Sequence, residues 1–177
     1  MNEERAQLII DEGLRLRPYL CTSNKITIGI GRNLEGNPLS PDEVMTFLLA
    51  RPHLKVNNTE ISLLRKMLLE DFYEKGITRE EAFYLFDNDV KKFSSELRKS
   101  LPWFENAPVE VKRILLNMTF NMGITRLMGF NGEHGTLRMI QRGEYKRAAE
   151  NLKKSLWFRQ VNNRAERLIE RLSKVTN

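Results

Sequence analysis

Residues Ile10–Leu34 read IDEGLRLRPYLCTSNKITIGIGRNL. The run opens on the end of a helix: Glu3–Glu12 carries apolar Ala6, Leu8, Ile9 and Ile10, and Gly13 is a helix stop. The pattern then changes. Arg17-Pro18-Tyr19 leads into the turn-prone pair Ser23-Asn24, and Ile26-Thr27-Ile28-Gly29-Ile30-Gly31 alternates with period two, as a strand does. A small antiparallel hairpin or three-stranded sheet is expected over about Leu16–Leu34. Across this joint Glu12, Cys21 and Thr27 stand in an E-x8-C-x5-T spacing, and Cys21 is the single cysteine of the chain.

Downstream the signals are helical. Ser40-Pro41-Asp42-Glu43 places an N-cap before a proline at the first helical position, and the helix it opens should reach Ala50, broken by Arg51-Pro52-His53. A second amphipathic stretch runs from about Glu60 to Glu74 and stops at Lys75-Gly76. Thr78-Arg79-Glu80-Glu81 has the spacing of a capping box. Its helix carries Ala82, Leu85, Phe86, Val90, Phe93 and Leu97 on one face and extends twenty residues or more, until Pro102 ends it. Pro108 opens a helix bearing Val111, Ile114, Leu115, Met118 and Met122. Glycines 123, 129, 132 and 135 mark a turn-rich region, and short helices follow from Thr136 to a last one at about Asn162–Lys174. The expected class is α+β, mostly α.

The totals exclude several classes. A chain of 177 residues, 41% hydrophobic and 29% charged, has the composition of a folded globular protein. No apolar run approaches the roughly 18–20 residues that span a bilayer, so stable membrane insertion is not expected. The N-terminus lacks the basic and apolar regions of a signal peptide. One cysteine and the separated His53 and His134 make neither a disulfide nor a metal-ligand motif. The net charge of +6 is concentrated in residues 138–177, which hold 11 Lys/Arg against 4 Asp/Glu. That balance suits an anionic partner or a solvated arginine-rich helix face. No motif supports nucleic-acid binding.

Hydrolysis of a glycosidic bond needs an acid for the leaving oxygen and a second group that activates water or stabilises the sugar cation. A carboxyl near a helix C-terminus suits the first task, because the helix dipole and burial both favour its protonated form. Glu12 is so placed, and the hairpin supplies Cys21 and Thr27 opposite it. A Glu before Gly at a helix end is also common on ordinary surfaces, and on the residues alone both readings stand.

The block resembles the catalytic segment of phage lysozymes of the T-even type, in IDEGLRL followed by TIGIG. Further resemblances lie in order downstream: Ile77–Ala82 with Leu85-Phe86 and Asp89-Val90; Asn117–Gly123; Gly129-Phe130 and Thr136–Met139, with about three extra residues between them; Ala148–Leu152, Ser155, Trp157, Asn163–Ala165 and Arg167. Only 35–76 has no recognisable counterpart. The resemblance implies a single lysozyme domain over 1–177: an N-lobe of about 13–77 with the hairpin, a connecting helix of about 78–100, and a helical C-lobe of about 101–177 together with the N-terminal helix.

It also implies roles. Glu12 is the general acid, Cys21 stands where the family usually has Asp, and Thr27 holds the hydrolytic water. Asn33, Phe120, Thr136 and Asn151 line the saccharide groove, and Arg164 supports the acid. Arg32 replaces a histidine opposite Asp89. Phe120 also reads as core, Trp157 as a packed aromatic and Arg167 as structural. Cys21 has three readings: an inert small hydrophobe, a thiolate that takes the proton of water, or a neutral thiol that positions water. The implied function is an endolysin, a muramidase acting on peptidoglycan, without cofactor or metal and as a monomer. It would accumulate in the host cytoplasm and reach the wall through a membrane lesion made by another protein. Three alternatives accompany it: an inactive peptidoglycan-binding protein, a phage tail-associated lysozyme, and a cysteine peptidase pairing Cys21 with His53 or His134.

Overall fold

The computed structural model describes residues 2–21, 23–57, 60–161 and 163–176, with side chains from residue 6 onward. It divides into two compact units, 1–89 and 90–177. The chain is 64% helical with one small antiparallel sheet, the mostly α form of an α+β fold that the sequence pattern predicts. Among the described residues no helix is long and apolar enough to cross a membrane.

The first unit begins with α1 (Asn2–Glu12), which ends where Gly13, at φ 72°, donates its N–H to the Ile9 carbonyl. The sheet follows as β1 (Arg15–Leu20), β2 (Ile26–Gly29) and β3 (Arg32–Asn33), all antiparallel in the order β1-β2-β3. Its register sets Tyr19 opposite Thr27 and Thr27 opposite Asn33, with an irregularity between Arg15 and Tyr19. Segment 35–76, blank by resemblance, forms α2 (Pro41–Leu49) and α3 (Ile61–Lys75). Ser40 caps α2 in a full capping box with Glu43, and the predicted box of Thr78 with Glu81 opens α4 (Arg79–Ser100).

These helices supply most of the core beneath the sheet. Val44, Phe47, Leu64, Leu68 and Phe72 are buried against Ile28, Ile77 and Leu85. Each such side chain contributes on the order of 1.5–3 kcal/mol by leaving water. Arg51, which the sequence reads as a helix breaker, is a buried hub. Its guanidinium meets Asp71 at 2.8 Å and both oxygens of Glu81, tying α2 to α3 and α4. His53 Nε2 lies 2.7 Å from Asp71 Oδ1, so this histidine is engaged by a carboxylate.

The second unit contains the remainder of α4, then α5 (Val109–Met122), α6 (Ile124–Met128), α7 (Thr136–Gln141), α8 (Tyr145–Lys153), α9 (Leu156–Val161) and α10 (Asn163–Ser173). α6 corrects the sequence reading, which expects only turns there: Gly123, at φ 77°, ends α5 and lets a short helix begin at once. The start expected for the last helix, Asn162, lies outside the described residues. The core gathers Leu97, Val111, Ile114, Leu115, Met118, Leu152, Leu168 and Leu172. Trp157 belongs to it at 7% exposure, and its indole N–H donates to Asn121 Oδ1 at 2.8 Å.

Candidate active site

Glu12 is the last residue of α1, and the turn between β2 and β3 comes up against its carboxylate. A Cβ on Gly31 would stand 2.6 Å from Glu12 Oε2. Gly31 adopts φ 73°, a conformation that glycine enters without strain. The sequence Gly29-Ile30-Gly31 therefore holds Ile28 and Ile30 in the core and leaves the backbone bare beneath the partly buried acid.

Cys21 follows β1 at the mouth of a tight turn. Its N–H donates to the Lys25 carbonyl at 3.0 Å and its carbonyl accepts from Asn24 N–H, with Asn24 at φ 56°. The thiol is free and partly exposed. Burial pushes its pKa up, but hydrogen bonds from the backbone of Lys25 and Ser23 and from the Thr27 side chain outweigh this and hold it below the ordinary thiol value. Thr27 is 3% exposed and its hydroxyl donates to the Lys25 carbonyl at 3.0 Å. Glu12, Cys21 and Thr27 thus belong to one unit, on one helix end and one hairpin.

The hairpin adds a residue that spacing did not single out. Tyr19, half-buried, is the cross-strand partner of Thr27, and the Arg15 guanidinium sits 4.4 Å over its ring. Burial raises the pKa of its phenol, and the nearby charges of Glu12 and Cys21 raise it further. Only the strand register exposes this neighbourhood.

Behind the hairpin lies a buried ionic cluster. Arg32 is 3% exposed and grips Glu43 with two bonds, at 2.8 and 3.0 Å, while its Nε donates to Asp89 at 2.7 Å. Asn88 donates to Glu43 and Asn37 to Asp89. Burial works against the ionised Glu43, but its bonds from Arg32, Asn88 and the Ser40 N–H hold its pKa below the usual range. Asp89 goes the other way: burial outweighs Arg32 and Asn37, and the Glu43 charge adds to the rise. The Arg32–Asp89 pair is as expected; Glu43, its second acid, comes from the segment that had no counterpart. Asn33, expected in the saccharide groove, spends its Oδ1 on the N–H groups of Glu35 and Gly36.

In the second unit Thr136 is buried at the start of α7 and accepts from Asn151 Nδ2, on α8, at 3.0 Å. Phe120 is partly buried and packs edge-on against Phe93 at 4.9 Å. Arg164 is buried on α10, where its Nε donates to Asn117 Oδ1 and its Nη2 to the Asn117 carbonyl. Among the described residues no group of three or more His, Cys, Asp or Glu is placed to hold a metal.

The family profile described as Phage lysozyme matches residues 10–174. Probable T4-type lysozyme 1 of Dictyostelium discoideum is 26% identical over 162 residues, 90% of this chain and 86% of that protein. Probable T4-type lysozyme 2 of the same organism is 28% identical over 160 residues, with the same coverage. The pre-baseplate central spike protein Gp5 of Enterobacteria phage T4 is 29% identical over 162 residues, 89% of this chain and 25% of that protein.

Proposed function

The chain belongs to the phage lysozyme family, and on that premise we propose that it is an endolysin, a muramidase. It hydrolyses the β-1,4 bond between N-acetylmuramic acid and N-acetylglucosamine in peptidoglycan. The observation that carries this reading is the placement of Glu12 over Gly31, on the hairpin that bears Cys21 and Thr27.

In the reaction the Glu12 carboxyl gives its proton to the glycosidic oxygen as the bond to the anomeric carbon breaks. A water held at Thr27 forms the new bond to that carbon and passes its proton to the Cys21 thiolate. The step leaves a Glu12 carboxylate and a neutral thiol, which exchange protons with solvent before the next turnover. The lowered pKa of Cys21 is the direction a thiolate base needs. A base acting through water gives inversion at the anomeric carbon. Phe120, Thr136 and Asn151 are the assigned saccharide contacts of the second unit, and Arg164, fixed by Asn117, is its supporting cation. No metal or cofactor takes part.

As a free endolysin the protein accumulates in the host cytoplasm and reaches the wall through a lesion made by another protein. The likeness to the T4 spike protein favours a second setting for the same chemistry, a lysozyme module carried on a phage tail. Clearance of a suspension of purified cell walls tests the reading. The wild type should clear it and Glu12→Gln should not; a fully active Glu12→Gln would refute the acid assignment.

A further inference from the structure

A water poised for attack has two protons and two lone pairs, and the hairpin accounts for only part of them. The Thr27 hydroxyl has a single proton. That proton is claimed within the protein, since the Lys25 carbonyl accepts it at 3.0 Å and the Cys21 sulfur is the other acceptor in reach. Towards a water Thr27 therefore only accepts. The water gives one proton to Thr27 Oγ1 and the other to the Cys21 sulfur, and one lone pair is directed at the anomeric carbon. The remaining lone pair needs a donor.

The donor must be an O–H or N–H on the face of the sheet that carries Thr27 and not already spent. The exposed Lys25 ammonium is drawn to Glu35 at 2.8 Å. Arg15 pairs with Gly29, two residues from Thr27, and its guanidinium lies over the Tyr19 ring. Asn33 faces Thr27 from β3 with its amide turned to the following loop, where its Oδ1 accepts from the Glu35 and Gly36 N–H groups. Tyr19 faces Thr27 from β1, at a position where paired Cβ atoms stand roughly 4.5–5.5 Å apart. Its hydroxyl makes no hydrogen bond to any of the described residues. The ring is held from one side by Arg15, and burial, with the nearby Glu12 and Cys21, raises the phenol's pKa, the direction that keeps its proton available to donate.

We propose that Tyr19 is a positioning residue of the hydrolytic reaction, its hydroxyl donating to the attacking water opposite Thr27. The inference rests on the muramidase reading and adds a fourth member to the Glu12, Cys21 and Thr27 group. Tyr19 fixes where the water oxygen points and neither gains nor loses its proton in the step. Proximity of this kind acts on turnover and leaves saccharide affinity alone.

Steady-state release of reducing ends from soluble peptidoglycan fragments tests this with Tyr19→Phe, Thr27→Val and the double variant. Phenylalanine keeps the ring and its contact with Arg15. Tyr19→Phe should lower kcat about tenfold with KM within twofold and leave the melting temperature unchanged. In the Thr27→Val background, where the water has lost its other anchor, the same change should cost less than about twofold, because residues that hold one water act as a unit. An unchanged kcat in Tyr19→Phe, or a loss that multiplies fully with that of Thr27→Val, would overturn the inference while the muramidase reading stands. A wild type that releases no reducing ends would overturn both.

Discussion

The Glu12 carboxylate rests on Gly31: a Cβ at position 31 would lie 2.6 Å from Oε2 and 2.8 Å from Cδ of the acid. Glycine is required there for its backbone, at φ 73°, and for its lack of a side chain. Gly29 shares the first need at φ 66°, but a Cβ there meets Ala82 at an ordinary 3.5 Å. The two positions therefore separate stability from catalysis. Gly29→Ala and Gly31→Ala should each cost about 1–2 kcal/mol from the left-handed backbone. Gly31→Ala alone should displace the acid and lower wall hydrolysis by on the order of 100-fold. Thermal melts and turbidity assays on the pair check this.

Cys21 is read as a base, and the ionised form is what matters. Cys21→Ser supplies a hydroxyl that stays neutral, and activity should fall about 100-fold, within the range general bases contribute. Cys21→Asp restores a charge and should keep at least about a tenth of wild-type activity, with the rising limb of its pH profile moved into the carboxylate range, near pH 4. Equal activity in both variants would reduce Cys21 to a spacer.

The buried cluster around Arg32 makes stability depend on pH in two opposed ways. Glu43 has its folded pKa depressed, so its contribution is complete above its unfolded value of about 4.3 and is lost as pH falls through the folded value. Asp89 has its folded pKa raised; its protonated form is favoured, so its contribution is complete below about 3.9 and is lost as pH rises through the folded value. Glu43→Gln should therefore cost about 2–3 kcal/mol at neutral pH, the worth of its charged hydrogen bonds, and much less near pH 3. Asp89→Asn should show the reverse trend, its relative cost growing as pH falls. Chemical denaturation at several pH values reads both.

Exposed cations of the second unit include Arg138, Arg142, Lys146 and Lys154. They belong to the segment that holds 11 basic against 4 acidic residues. Attraction to an anionic wall is screened over a Debye length of about 8–10 Å at physiological salt. Lysis of purified walls should weaken severalfold between low and physiological ionic strength, and a flat profile would count against a charge-held complex.

Local chemistry was legible in the sequence. Gly13 after Glu12, Ser40 before Pro41 and Thr78 before Glu81 are signals that a few neighbouring residues complete, and each marks a real helix end. The helix end that carries Glu12 and the hairpin that carries Cys21 and Thr27 were legible because both are short-range structures. What was hidden depends on pairing at a distance. Glu43 meets Arg32 from 11 residues away and Asp71 meets Arg51 from 20, across a segment where the resemblance offers no guide. Tyr19 meets Thr27 only through a register that an irregularity after Arg15 resets. Asn33 is a saccharide contact by resemblance alone, and the structure adds that its oxygen ties the loop that follows it.

The central claim is that Glu12 protonates the oxygen leaving N-acetylmuramic acid. Its most direct test is mass spectrometry of the ends released from purified peptidoglycan after borohydride reduction, for wild type and Glu12→Gln. Wild type should yield fragments ending in reduced N-acetylmuramic acid, and Glu12→Gln should yield none. Fragments ending in reduced N-acetylglucosamine, or the same products from both proteins, would contradict it.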